Sequence, residues 1–335
     1  MSTLYVLGGR QNRGVFKNSE EWNLYESALV LGIDTATGAV SKCFEYQTPP
    51  ETKASKDASV LFKSGTLVGD KLYLCTSTEV LVLQLPDFRV LNYVSLPCFN
   101  DLHHVTPARD GTLLAAVTGL DMVVRLTPEG ELLEEWNVLG DEPPWVRFSR
   151  AVDYRKIEST KPHQSHPNFV FELDGQVWVT RMVQRDAVCL TDRRRKVDIS
   201  VEGPHDGLVR FGKVYFTLVD GHVLTATSDN LRVEQLIDLK TIDNPNSLLG
   251  WCRGILPLTP SRCWVGFTRV RQTRFHENIL WVRRVWKAGM LVEPSHVSLY
   301  DLATRERLQR VNVESAGMNA VFSILGSTLL PGAEE

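Results

Sequence analysis

Three stretches of the chain follow one plan: a histidine near the start of a short apolar strand, then a turn, then a second apolar strand. They are Leu102-His103-His104-Val105, Ser165-His166-Pro167-Asn168-Phe169-Val170 and Pro204-His205-Asp206-Gly207-Leu208-Val209. The strands that follow them are Thr112–Val117, Gln176–Thr180 and Lys213–Thr217. Period-2 alternation dominates the chain, and long stretches of helical period are nearly absent. Aligned on these signals, the strands fall into groups of four, joined by hairpin turns such as Asp110-Gly111, Asp174-Gly175 and Pro128-Glu129-Gly130. A four-stranded unit repeated every 40–50 residues or so is the sequence signature of a radial β-propeller. The grouping predicts six blades in a single domain over 1–330: 59–95, 103–138, 166–201, 205–238, 252–313, and a closing blade built from 319–325 and 1–47. Sharing that blade between the termini ties the ring shut and removes open sheet edges. A seventh blade, or a β-sandwich with a small second domain, is the alternative.

Composition narrows the function. With 43% hydrophobic residues the chain can bury a large core, and a net charge of −3 gives no overall basic field for nucleic acid. No apolar run reaches the ~18–20 residues that span a bilayer, so no membrane role is expected. Met1–Arg10 reads as a strand and not as a signal peptide. The six cysteines are scattered, as expected of reduced thiols in the cytoplasm. Nucleophile-elbow, phosphate-loop, Rossmann and zinc-protease motifs are all absent.

In a propeller the first strand of each blade lines the central channel, and here those strand starts are rich in polar groups. His103, His104, His166 and His205 are candidate ligands of one divalent transition metal, zinc, iron or manganese, with only one of His103 and His104 entering the channel because neighbours on a strand point to opposite faces. Asp206 is a candidate base or further ligand, Arg253 an anchor for an anionic substrate, and Cys252 a candidate nucleophile or soft ligand. Two segments, 139–165 and 269–294, interrupt the repeat. Their arginines, including Arg147, Arg150 and Arg274, together with Asn168 and Asn319, are candidate substrate-binding groups. Both insertions are expected over the histidine face, with 269–294 as a lid. Structural histidines that plug the channel, and arginines that only pair with surface carboxylates, are the plainer readings.

The strand rhythm resembles that of the six-bladed propellers containing NHL repeats and of the gluconolactonase-like hydrolases. That resemblance implies a divalent ion held in the channel by a glutamate, asparagines and an aspartate. Asn168 and Asn319 stand at inner-strand starts, but the glutamate is missing and histidines dominate. In that respect the centre is nearer to oligogalacturonate lyases and carotenoid oxygenases, which bind metals through clustered histidines. The expected function is a metal-dependent hydrolase, lyase or isomerase acting on a small polar or anionic metabolite. The rival is a non-catalytic propeller that binds a protein or ligand.

Overall fold

The computed structural model describes residues 3–12, 24–270 and 291–326. Its sheets form six four-stranded blades, each with its first strand innermost. Blade 1 runs from Gly65–Val68 to Arg89–Val94, blade 2 from Leu102–Pro107 to Leu132–Asn137, and blade 3 from Pro167–Leu173 to Lys196–Asp198. Blade 4 runs from Pro204–Arg210 to Val233–Asp238, and blade 5 from Trp251–Pro257 to Glu306–Asn312. The closing blade takes Ala320–Leu325 innermost, then Thr3–Gln11, Tyr25–Asp34 and Val40–Tyr46. Val6 pairs with Ile324 and Leu7 with Ser323, so the two ends of the chain share one sheet.

Period 2 explains the ring. The middle strands are buried on both faces, and alternate side chains face opposite neighbouring blades. Leu113 and Ala115 pack with Cys75 and Val80 of blade 1, while Leu114 and Ala116 pack with Val170 and Val179 of blade 3. Phe216 meets Trp178 of blade 3, and its neighbour Tyr215 meets Val265 of blade 5. Trp264 then meets Val6 and Leu31, and Leu7 and Val30 meet Leu72 and Leu74. Each blade thus contributes to two apolar seams, and the last seam returns to the first blade. A Leu, Val or Phe buried in such a seam contributes ~1.5–3 kcal/mol.

One strand differs from the sequence reading. The innermost strand of blade 1 is Gly65–Val68 and not the apolar run Ser59–Phe62. That run instead crosses beside the closing blade, where Val60 N donates to Tyr25 O and Phe62 N to Gly8 O. The reason is steric: Gly65 lies so close to Tyr73 that a Cβ there would sit 2.0 Å from the Tyr73 carbonyl oxygen, so only glycine fits the innermost pairing.

Every inner strand is irregular near its start. In blade 2 the register slips between Leu102 and His104, leaving His103 as an extra residue. Blade 3 slips at Asn168, blade 4 at Asp206-Gly207, blade 5 at Arg253-Gly254 and the closing blade at Phe322. In blade 1, Lys63 and Ser64 both bond to Cys75. Bulges of this kind break the alternation and re-aim side chains. They lie at one end of the ring, and they make its mouth.

Candidate functional site

Four successive blades carry a residue of positive φ at this mouth: Asp101 (54°), His166 (57°), Asp206 (64°) and Gly254 (81°). Histidine rarely adopts that conformation, so the surrounding structure must impose it at His166. Asp121 does so. Its carboxylate accepts from the backbone N–H groups of Gln164, Ser165 and His166, each at 2.9 Å, and from Arg147 Nη1 at 2.6 Å. Burial opposes ionisation of Asp121, yet these donors hold its pKa below the usual value. The clasp pins the end of the 139–165 insertion to blade 2 and turns His163 and His166 towards the channel.

Three of the four candidate metal histidines come together. The ring centroids of His103 and His166 are 4.7 Å apart, and each lies 6.4 Å from that of His205. His163 joins through a 3.0 Å Nδ1–Nδ1 hydrogen bond to His166. His104 does not take part. Its ring stacks on Phe169 at 3.6 Å and its Nδ1 accepts from Val170 N, which places it in the seam between blades 2 and 3.

Beside the imidazoles lie two cationic side chains. Lys63 is 6% exposed and ion-paired to Asp101. Burial opposes the charge on Asp101, but Lys63 holds that carboxyl well below its usual range. Arg253 lies over the Phe322 ring at 4.7 Å, and its Nε is buried with no hydrogen-bond partner. Among the described residues it forms no ion pair. Burial, reinforced by neighbouring positive charge, lowers the pKa of all three central imidazoles; that of His166 is pushed down to about 3. They are therefore neutral at pH 7. At the mouth Lys63 is paired with Asp101, and Arg253 is attracted by Asp101 and by the buried carboxyl of Asp206.

The metal expectation meets this geometry directly. Among the described residues no group of three His, Cys, Asp or Glu side chains is arranged to hold one ion.

The other candidate residues go elsewhere. Asp206 is turned between blades, accepting from Thr217 Oγ1 and from Gly254 N at 2.9 Å, while its carbonyl accepts from Thr180 Oγ1. Burial raises its pKa to about 6. Cys252 belongs to the apolar seam with Tyr215 and Phe267, and burial pushes its thiol pKa well up, which makes it a small hydrophobe and not a nucleophile. Asn168 donates to Pro204 O, and Asn319 Oδ1 accepts from Gln11 N, so both brace the backbone. Arg147 is used by Asp121. Arg150 pairs with Glu135 and stacks on Trp145 at 4.6 Å, away from the imidazoles. Arg274 lies outside the described residues, as does the central part of 269–294. The ends of that segment leave and rejoin at the histidine face, where Thr268 pairs with Trp251 and Arg269 N donates to Ser295 Oγ. Lys63, Asp101 and Asp121 carry no motif in the sequence.

No family model matches the chain, and no curated protein matches it in sequence. Solved structures do match in shape. A protein of unknown function from Bacteroides caccae aligns over 98% of this chain and 99% of its own, with a TM-score of 0.62 and 13% identity. A structure from a nidogen/laminin complex aligns over 97% and 98%, at 0.57 and 8%. A streptogramin B lyase aligns over 96% and 92%, at 0.50 and 13%. At such identities the likeness is one of architecture, and the NHL and gluconolactonase resemblance likewise extends to the six-bladed fold alone.

Proposed function

We propose that the mouth binds a small anionic metabolite and that the neutral imidazoles of His103, His166 and His205 act on it as acid–base groups. The observation that carries this reading is Arg253, a desolvated guanidinium whose Nε has no hydrogen-bond partner and which forms no ion pair among the described residues, beside a His205 Nε2 that is buried and also unpartnered. Such groups cost free energy unless a ligand satisfies them. An anion seated on Arg253 and Lys63 would sit against imidazoles that are unprotonated at pH 7 and therefore competent to take up a proton. Lyase, hydrolase and isomerase chemistry all begin with such a transfer. That a streptogramin B lyase shares the architecture adds only analogy. Six free cysteines, five of them buried, support placement in the reducing cytoplasm.

The test is calorimetric titration of the purified protein with small carboxylates and inorganic phosphate. Wild type should bind at least one of them, and Arg253→Met should weaken that binding by ten-fold or more. Undiminished affinity in the variant would overturn the reading. A second reading keeps the metal, because two of the cluster's imidazoles have Nδ1 engaged and Nε2 left over. Elemental analysis decides: a stoichiometric transition metal, lost in His205→Ala, would replace the anion reading. If neither anion nor metal binds, the non-catalytic scaffold is left.

A further inference from the structure

The hydrogen bonds around the cluster fix where its protons are, and that limits what can bind. His103 Nδ1 lies 2.8 Å from the Asp101 carbonyl oxygen. A carbonyl only accepts, so Nδ1 carries the proton and Nε2 of the neutral ring is bare. For His166 the argument runs through His163. Thr160 Oγ1 gives its proton to Gly119 O, so towards His163 Nε2, 3.4 Å away, it can only accept. Asp101 Oδ2, 4.0 Å from the same nitrogen, is also an acceptor. His163 therefore carries its proton on Nε2, and its Nδ1 accepts from His166 Nδ1–H. That leaves Nε2 of His166 bare as well. Two neighbouring rings thus offer lone pairs, and Lys63 and Arg253 stand beside them.

A ligand that was anion alone, such as a simple carboxylate, would satisfy the cations and face the lone pairs with further lone pairs. A ligand carrying an ammonium group would satisfy the lone pairs and be repelled by Lys63 and Arg253. We infer that the site takes a hydroxy carboxylate, its carboxylate on Arg253 and its hydroxyl donating to the His166 Nε2 atom, with His163 the positioning residue that holds His166 in this tautomer. The inference rests on the anion reading above and narrows it.

Matched pairs of ligands test it: tartrate against succinate and lactate against propionate, titrated into the full chain. The hydroxylated member of each pair should bind about ten-fold more tightly, the value of one well-made hydrogen bond near 1.4 kcal/mol. In His163→Phe, with the fold checked by circular dichroism, that preference should shrink towards unity while succinate and propionate affinities hold. Nitrogen-15 spectra of wild type should show His166 protonated at Nδ1, a readout that does not depend on the variant folding. Equal affinities within each pair, or His166 protonated at Nε2, overturn the inference and leave the anion reading standing. Failure of every anion to bind removes both.

Discussion

His103 and His104 are adjacent in sequence and serve opposite purposes. His103 is the extra residue of a bulge; its ring faces other imidazoles and keeps one nitrogen without a partner. His104 resumes the regular strand, lies in an apolar seam, stacks on Phe169 and accepts from Val170 N. His296 repeats the second pattern in blade 5, stacked on Phe267 at 4.8 Å with Nδ1 against Pro294 O. Seam histidines act as aromatic core residues with one polar contact. Mouth histidines face one another and hold open hydrogen-bonding positions. The difference comes from local register, a property of the backbone and not of the residue type.

The largest expected effect follows from that contrast. His104→Ala removes a stacked ring from a closed seam and leaves Val170 N–H unsatisfied, so it should cost ~3–5 kcal/mol. His205→Ala should cost about 1 kcal/mol or less, because its Nε2 has no partner to lose, and should instead abolish anion binding. Urea midpoints and titrations of both variants check this. Equal destabilisation by the two would erase the distinction between seam and mouth.

Acid should expose the seam histidines next. Burial pushes the pKa of His104 down to about 3 and that of His296 to about 4. Both folded values lie below the unfolded value near 6.5, so in that window the unfolded chain binds more protons and stability falls as pH falls. The contribution of these two histidines should be flat above pH ~7. Between pH 6.5 and 5, His104 alone should account for ~2 kcal/mol. His104→Gln, whose carbonyl can still accept from Val170 N, should flatten the profile by about one proton. An unchanged slope would mean that His104 is protonated while folded.

Asp206 has the opposite sign. Its folded pKa of about 6 lies above the unfolded value, so the native state binds the extra proton and stability falls as pH rises from about 4 to 6. Both its hydrogen bonds end on one oxygen, Oδ2, which an asparagine carbonyl can replace, and asparagine tolerates positive φ. Asp206→Asn should therefore stabilise the protein at pH 8 by ~1–3 kcal/mol, with the advantage gone by pH 4. If Asp206→Asn is destabilising at pH 8, the carboxylate has a charged role that its present partners do not explain.

The ring was legible because alternation over Leu113–Val117 or Lys213–Leu218 reports burial on both faces, which only neighbouring blades can supply. The innermost strand of blade 1 was misread because Ser59–Phe62 is as apolar as a strand should be. Periodicity carries no record of the close Gly65–Tyr73 approach that decides the pairing. The histidines drew attention by type, but which of His103 and His104 enters the mouth depends on a bulge, and a bulge adds no residue of distinctive kind. Asp121 was invisible for a similar reason: its three partners are backbone N–H groups, which every sequence has. Lys63 and Asp101 lie at the entrances of adjacent blades and meet only when blades 1 and 2 pack.

The smallest effect expected separates two arginines of one insertion. Arg147 neutralises Asp121, which is 2% exposed and clasps the turn that carries His166. Arg150 pairs with Glu135 from a side chain that is 62% exposed, over the face of Trp145. Solvent screens the second pair, and the side chain loses entropy in making it, so Arg150→Ala should cost ~1 kcal/mol or less. Because Arg150 is largely exposed and bonds none of the imidazoles or Asp121, anion affinity should be unchanged within error. Arg147→Ala should lower both stability and affinity, since the Asp121 carboxylate would lose its counter-charge and His166 the rigidity of its turn. Calorimetry and urea titration on the two variants side by side make the comparison. A loss of affinity in Arg150→Ala equal to that in Arg147→Ala would mean that the ligand reaches past the channel mouth onto the insertion, and the site would have to be redrawn to include it.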